Sequence, residues 1–144
     1  MDITDALLTT LGTTVEYSRC GGGAGSWLLL KTDNRVSING WGYWEIWRYD
    51  EILATSEDDD TAIVGKMAQA AIRIEGKKTL GFTIDEQRNI GMLFEDALEL
   101  WLFYVPECGH EELGLIFWEI VYFPSKISFT LNSRGALVTE FFSE

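Results

Sequence analysis

The heptapeptide GYWEIWR, residues 42–48, has a near-copy in IFWEIVY, residues 116–122, 74 positions further along the chain. Each holds an aromatic residue followed by Trp-Glu-Ile: Tyr43-Trp44-Glu45-Ile46, then Phe117-Trp118-Glu119-Ile120. Along an extended strand, side chains alternate between two faces. Trp44 and Ile46 therefore share one face, and Tyr43, Glu45 and Trp47 share the other. In the second segment Trp118 and Ile120 oppose Phe117, Glu119 and Val121. The Trp/Ile face is the core face, because it offers the larger uninterrupted apolar area. The tetrad reads as a duplicated strand whose Trp fills equivalent core positions. The Glu, on the opposite face, is either half-covered and paired or lines a groove.

The surroundings of the two segments also match. SWLLLKTDNRVSI (26–38) and IGMLFEDALELWLFYV (90–105) each give an apolar run, a turn, at Asp33-Asn34 or near Asp96, and then alternation. Further upstream TTVEYSR (13–19) answers AAIRIEG (70–76), both read as strands. Before each lies a helix candidate, ITDALLTT (3–10) and DTAIVGKMAQ (60–69). Ser56 and Asp59 have capping-box spacing, and the acids at 57–60 suit a helix N-terminus, which predicts a helix near 58–69. KISFTL (126–131), a turn at Asn132-Ser133-Arg134-Gly135 and ALVTEFF (136–142) add a hairpin. The expected fold is α+β, mainly antiparallel sheet built from two tandem helix–strand–hairpin–strand repeats, with one or two short helices. It forms a single domain over 1–144, with pseudo-repeats at about 3–55 and 56–125 and a C-terminal hairpin at 126–144.

A chain of 144 residues suits one domain. Hydrophobic residues at 47% and charged residues at 24% describe a folded soluble protein rather than a disordered one. The formal net charge of −12 repels nucleic acid and anionic membrane and attracts basic partners. MDITDALL lacks the basic and apolar regions of a secretory signal, and Glu99 and Glu119 interrupt the longest apolar runs, so no membrane span is expected. Cys20 and Cys108 form no CxxC pair and read as reduced thiols in a cytoplasmic protein.

No stretch carries a catalytic signature. GGGAG (21–25) runs into an apolar strand without the Lys and helix of a phosphate loop, and reads as an inter-strand loop. PECGHEE (106–112) offers one Cys-x-His and no second pair, too few corners for zinc. Cys108 and His110, two apart in a surface loop, are poorly placed for nucleophilic catalysis. SEDDD (56–60) lacks the spaced ligands of a calcium loop. No cofactor or metal is expected. Glu45 and Glu119, related by the duplication, are the one candidate carboxylate pair.

The charge map points elsewhere. The 37 residues between Arg88 and Lys126 contain no Lys or Arg and carry seven carboxylates, among them Glu99, Glu107, Glu111, Glu112 and Glu119. A second stretch, 50–60, holds six carboxylates and no base. The first is interleaved with Trp101, Phe103, Tyr104, Phe117, Trp118 and Tyr122. Aromatic anchors rimmed by carboxylates suit a surface that docks a basic protein.

In this pattern the chain resembles the small acidic immunity proteins that bacteria encode beside polymorphic or contact-dependent toxins. It is also similar to bacterial proteins with two strand-hairpin repeats closed by an aromatic-Trp-Glu segment. The resemblance implies a non-enzymatic inhibitor that covers the active site or an exosite of a basic toxin domain, such as a nuclease. The contact residues expected on charge and aromaticity are Glu107, Glu111, Glu112, Trp118 and Glu119, the loop acids steering and Trp118 anchoring. The rival expectation is a small-molecule-binding or enzymatic β-rich domain that uses a Glu/Trp-lined groove.

Overall fold

Buried and outward-facing side chains alternate along residues 28–32, 44–47, 98–102 and 127–132 of the computed structural model, which describes residues 1–20, 26–58, 61, 64–105 and 116–143. The chain order is α1 (Ile3–Leu8), β1 (Val15–Arg19), β2 (Leu28–Thr32), β3 (Val36–Gly40), β4 (Trp44–Arg48), β5 (Glu51–Thr55) and α2 (Lys66–Ile74). It continues with β6 (Thr79–Ile84), β7 (Ile90–Phe94), β8 (Leu98–Leu102), β9 (Ile116–Tyr122), β10 (Ile127–Asn132) and β11 (Leu137–Phe141). The strands form two antiparallel sheets, ordered β1-β2-β3-β9-β10-β11 and β5-β4-β8-β7-β6. This is the mainly antiparallel α+β fold expected, with two short helices among the described residues. Trp44, Ile46, Trp118 and Ile120 are all fully buried in a core to which both sheets and both helices contribute. Among the described residues no helix is long and apolar enough to cross a membrane.

The two sheets are assembled alike. Each sets three consecutive strands of one part of the chain beside strands of the other: β1-β2-β3 continues into β9, β10 and β11, while β6-β7-β8 continues into β4 and β5. The registers correspond. Trp118 lies opposite Gly40 and Ile120 opposite Ile38, as Trp44 lies opposite Leu102 and Ile46 opposite Leu100. Leu30 faces Ile38 as Met92 faces Leu100. Even the irregularity in β1 between Val15 and Tyr17 recurs in β6 between Thr79 and Gly81.

Where the two halves meet, the hydrogen bonds are reciprocal. The Val15 amide donates to the Lys77 carbonyl (2.8 Å) and the Thr79 amide to the Thr13 carbonyl (2.9 Å). Gly76 donates to Val15, and Gly12 to Thr79, both at 2.8 Å. The glycines at 12 and 76 adopt φ of +80° and +85°, the left-handed conformation that a side chain disfavours. The Trp pair that opened the sequence reading makes matching contacts. Trp44 Nε1 donates to the Ser26 carbonyl (2.8 Å), and Trp118 Nε1 to the Arg88 carbonyl (2.9 Å). Each indole so satisfies its one polar group while its rings fill the core.

Three local expectations are corrected. AAIRIEG (70–76) is not a strand: Ala70, Ala71 and Ile74 continue from Met67 as one buried stripe of α2 at i, i+3, i+4 and i+7. A short run with Ile72 and Ile74 satisfies strand alternation too, and only the longer window separates the two. The partner of β1 is therefore β6, and α2 matches α1, whose buried Ile3, Ala6 and Leu7 keep the same spacing. The second helix starts at Lys66 with Gly65 as an N-cap that makes no side-chain bond, so Ser56 does not cap it. Ser56 instead extends the β5–β4 pairing, its Oγ accepting from the Trp44 amide (3.3 Å) and its own amide donating to the Trp44 carbonyl (3.0 Å). Asp59 and Asp60 lie outside the described residues. Finally, residues 51–55, read only as part of an acidic stretch, form β5. The capping box belongs to α1, where Asp2 and Asp5 exchange side-chain and backbone hydrogen bonds.

Candidate functional site

With Trp44 and Ile46 turned inward, Glu45 and Trp47 emerge on the outer face of the five-stranded sheet. The neighbouring strand β8 has the same polarity: Leu98, Leu100 and Leu102 are buried, and Glu99 and Trp101 are half-exposed. The register places Glu45 directly opposite Trp101 and Trp47 directly opposite Glu99. The four side chains form a two-by-two checkerboard in which each carboxylate has indoles as its nearest neighbours along and across the strands. One step further along, Tyr43 and Phe103 continue the ladder, their rings 5.6 Å apart, and Phe103 stacks beside Trp101 at 6.3 Å.

The carboxylates are held in place by the rings beside them. Glu45 accepts from the Tyr43 hydroxyl (2.7 Å) on one oxygen and from Trp47 Nε1 (2.9 Å) on the other. Glu99 accepts from Trp101 Nε1 at 3.4 Å. Donor and acceptor are two residues apart in each case, because strand neighbours on one face stand at that spacing. Desolvation first, then the hydrogen bond and charge of Glu45, push the Tyr43 hydroxyl up to about 12, so it stays protonated and continues to donate.

Trp101 lies across Gly91 of β7. A β-carbon at residue 91 would come within 2.5 Å of the indole, so glycine is what lets the ring lie down on the sheet. The flattened ring separates two hollows. One, of about 460 Å³, is lined by Glu45, Trp47, Tyr49, Asp50, Glu99, Trp101 and Phe103. The other, of about 270 Å³, shares Glu99 and Trp101 and extends over Gly81 and Gly91. Among the described residues neither hollow is lined by Lys or Arg, and neither Glu45 nor Glu99 has an ion-pair partner.

The sequence-derived contact residues fare differently. Trp118 is a correction: it is fully buried, with its indole N–H bonded inside the protein, so it touches no partner. The Trp/Ile core face claims it, and Glu119, the next residue, points the other way. Glu107, Glu111 and Glu112 lie outside the described residues, as do Cys108, His110 and the glycines at 21–23. Glu119 is half-buried on the outer face of the six-stranded sheet, near Asn39 Nδ2 (3.5 Å) and Thr130 Oγ1 (3.4 Å). Its burial, opposed by the Thr130 hydrogen bond and reinforced by Glu140, holds its carboxyl above the usual range.

Glu45 and Glu119 do not form a carboxylate pair. They lie on different sheets, Glu45 on β4 and Glu119 on β9, each beside the inward-facing residues of its own strand. Beside Glu119, Trp27 stacks on Trp41 at 5.5 Å and bonds Asn39 through its indole N–H (3.1 Å). Cys20 is buried against the sulfur of Met67, 3.8 Å away. Among the described residues no three His, Cys, Asp or Glu side chains are grouped as a metal site. Comparison with protein-family models, with curated proteins and with solved structures returns no match.

Proposed function

We propose that this protein is a cytoplasmic immunity-type inhibitor, without catalytic activity of its own, that binds and neutralises a basic toxin domain such as a nuclease. The docking surface on this reading is the outer face of β4 and β8, with the acids at 107, 111 and 112 contributing steering charge. The observation that carries it is the checkerboard of Glu45, Trp47, Glu99 and Trp101, lined by no Lys or Arg among the described residues of a chain of net charge −12. A nuclease presents cationic groups to phosphate, so an acidic face meets complementary potential where catalysis occurs. The aromatic rings supply the desolvated contacts that slow dissociation. The same reading takes the correspondence between the two halves as a tandem duplication.

The test is co-expression with the product of the adjacent gene, followed by growth and pull-down assays. Rescue of growth and a complex whose association slows with added salt support the proposal. A neighbour that is harmless alone, or that this protein does not bind, overturns it. The small-molecule reading then takes precedence, favoured by the 460 Å³ cleft, which lies within the size range of ligand pockets.

A further inference from the structure

We infer that the Glu/Trp checkerboard is a receptor for a single arginine side chain of the partner, an inference that rests on the β4–β8 face being the docking surface. Diagonal positions on paired antiparallel strands stand roughly 7–8 Å apart. Glu45 and Glu99 occupy one diagonal, and Trp47 and Trp101 the other. A cation seated in the hollow of about 460 Å³ has both carboxylates and both indoles among its walls.

The square discriminates among cations. A bare divalent ion takes six or more oxygen ligands at about 2.0–2.6 Å, and the square offers two carboxylates, its other two corners being indoles. An ammonium is compact and strongly hydrated, and gains less from lying against a ring. A guanidinium is planar and weakly hydrated. It can stack on an indole face while its edge N–H groups reach carboxylates on either side. The carboxylates are oriented before binding, since ring N–H and hydroxyl donors hold them, and their remaining lone pairs are open to a second donor. Tyr43 and Phe103 extend an apolar wall along which the arginine methylenes can lie.

The experiment titrates the full-length, ¹⁵N-labelled protein with N-acetyl-arginine amide and follows the indole N–H resonances. Its neutral isostere, N-acetyl-citrulline amide, and the lysine analogue serve as comparisons. The arginine probe is expected to shift Trp47 and Trp101, leave Trp44 and Trp118 unmoved, and bind roughly tenfold more tightly than citrulline. Glu45→Gln and Glu99→Gln, made separately and checked by circular dichroism, should each weaken the arginine response and leave the citrulline response unchanged. No shift at Trp47 and Trp101, equal binding of citrulline, or a response that survives both substitutions overturns the inference. If the protein neutralises its toxin but ignores the arginine probe, the docking proposal stands and the arginine site falls. If the probe binds as expected and the neighbouring gene product does not, the arginine site stands and the toxin proposal falls.

Discussion

Replacing Trp44 and Trp118 by Ala, one at a time, tests whether the two halves of the chain are built on equivalent positions. Both side chains are fully buried, and each donates one indole hydrogen bond to a carbonyl two residues before a central strand. Truncating a buried Trp to Ala costs about 3–5 kcal/mol, and the unpaired Ser26 or Arg88 carbonyl places both sites toward the upper end. For 144 residues at about 2.1 cal/mol/K each, the unfolding entropy near the midpoint is about 0.3 kcal/mol/K. A loss of about 4 kcal/mol then lowers Tm by about 13 °C. Trp→Phe keeps most of the ring volume and removes the N–H, so it should cost less than Ala at both sites. The assay is thermal and urea unfolding followed by circular dichroism and by fluorescence, with coincident transitions as evidence of two-state behaviour. Equivalent sites predict losses within about 1 kcal/mol of each other, which is the scatter expected from context. A loss below about 1 kcal/mol at either site would refute the reasoning, since no fully buried indole is that cheap to remove.

Glu119→Gln should raise Tm at neutral pH and leave it unchanged at pH 4. The carboxyl of Glu119 is held above its unfolded value mainly by burial, so its contribution is full below that value and is lost as pH rises through the folded pKa. A variant less stable at pH 7 would show that the ionised form is stabilised instead. Gly91→Ala should lift Trp101 off the sheet, destabilise by about 1 kcal/mol because the ring has solvent to move into, and alter Trp fluorescence. Unchanged emission would place Trp101 elsewhere. In an alkaline titration followed by tyrosinate absorbance, one of the five tyrosines should ionise near 12, and Tyr43→Phe should abolish that step. The stability it contributes is present below the ordinary tyrosine value of 10.0 and fades as pH climbs toward 12.

Much of this architecture was legible because strand alternation is a local signal. WEIWR and LELWL each say which residues face inward, and the structure buries Trp44, Ile46, Leu98, Leu100 and Leu102 accordingly. The turns at Asp33-Asn34 and near Asp96 were legible as well. What alternation does not carry is which strands become neighbours. Glu45 and Trp101 are 56 positions apart, and nothing local says that β4 pairs with β8 rather than with β3, which precedes it directly. The candidate site exists only through that pairing. Trp118 shows the opposite error. Its sequence neighbours are acidic and aromatic, so linear charge density made it a surface anchor, while the pleat sends it into the core.

The correspondence between the halves also explains why only one outer face became a checkerboard. Inward positions must fill a shared core, and there the halves keep similar residues: Trp44 and Trp118, Ile46 and Ile120, Leu100 and Ile38, Met92 and Leu30. Packing tolerates little change of volume at such positions. Outward positions carry no such constraint. Glu45 keeps its counterpart in Glu119, yet the positions around it differ. Trp101 corresponds to Asn39, Trp47 to Val121, Glu99 to Ser37 and Gly91 to Leu29. With Leu29 in place of Gly91, a ring at the position of Asn39 could not lie flat. With Val121 in place of Trp47, the carboxylate loses its indole donor and turns to Asn39 and Thr130 for weaker contacts. The five-stranded sheet thus combines a glycine floor, two indoles and two oriented carboxylates. At the corresponding positions the six-stranded sheet keeps only the Glu119 carboxylate, and its nearby indoles, Trp27 and Trp41, stack on each other instead.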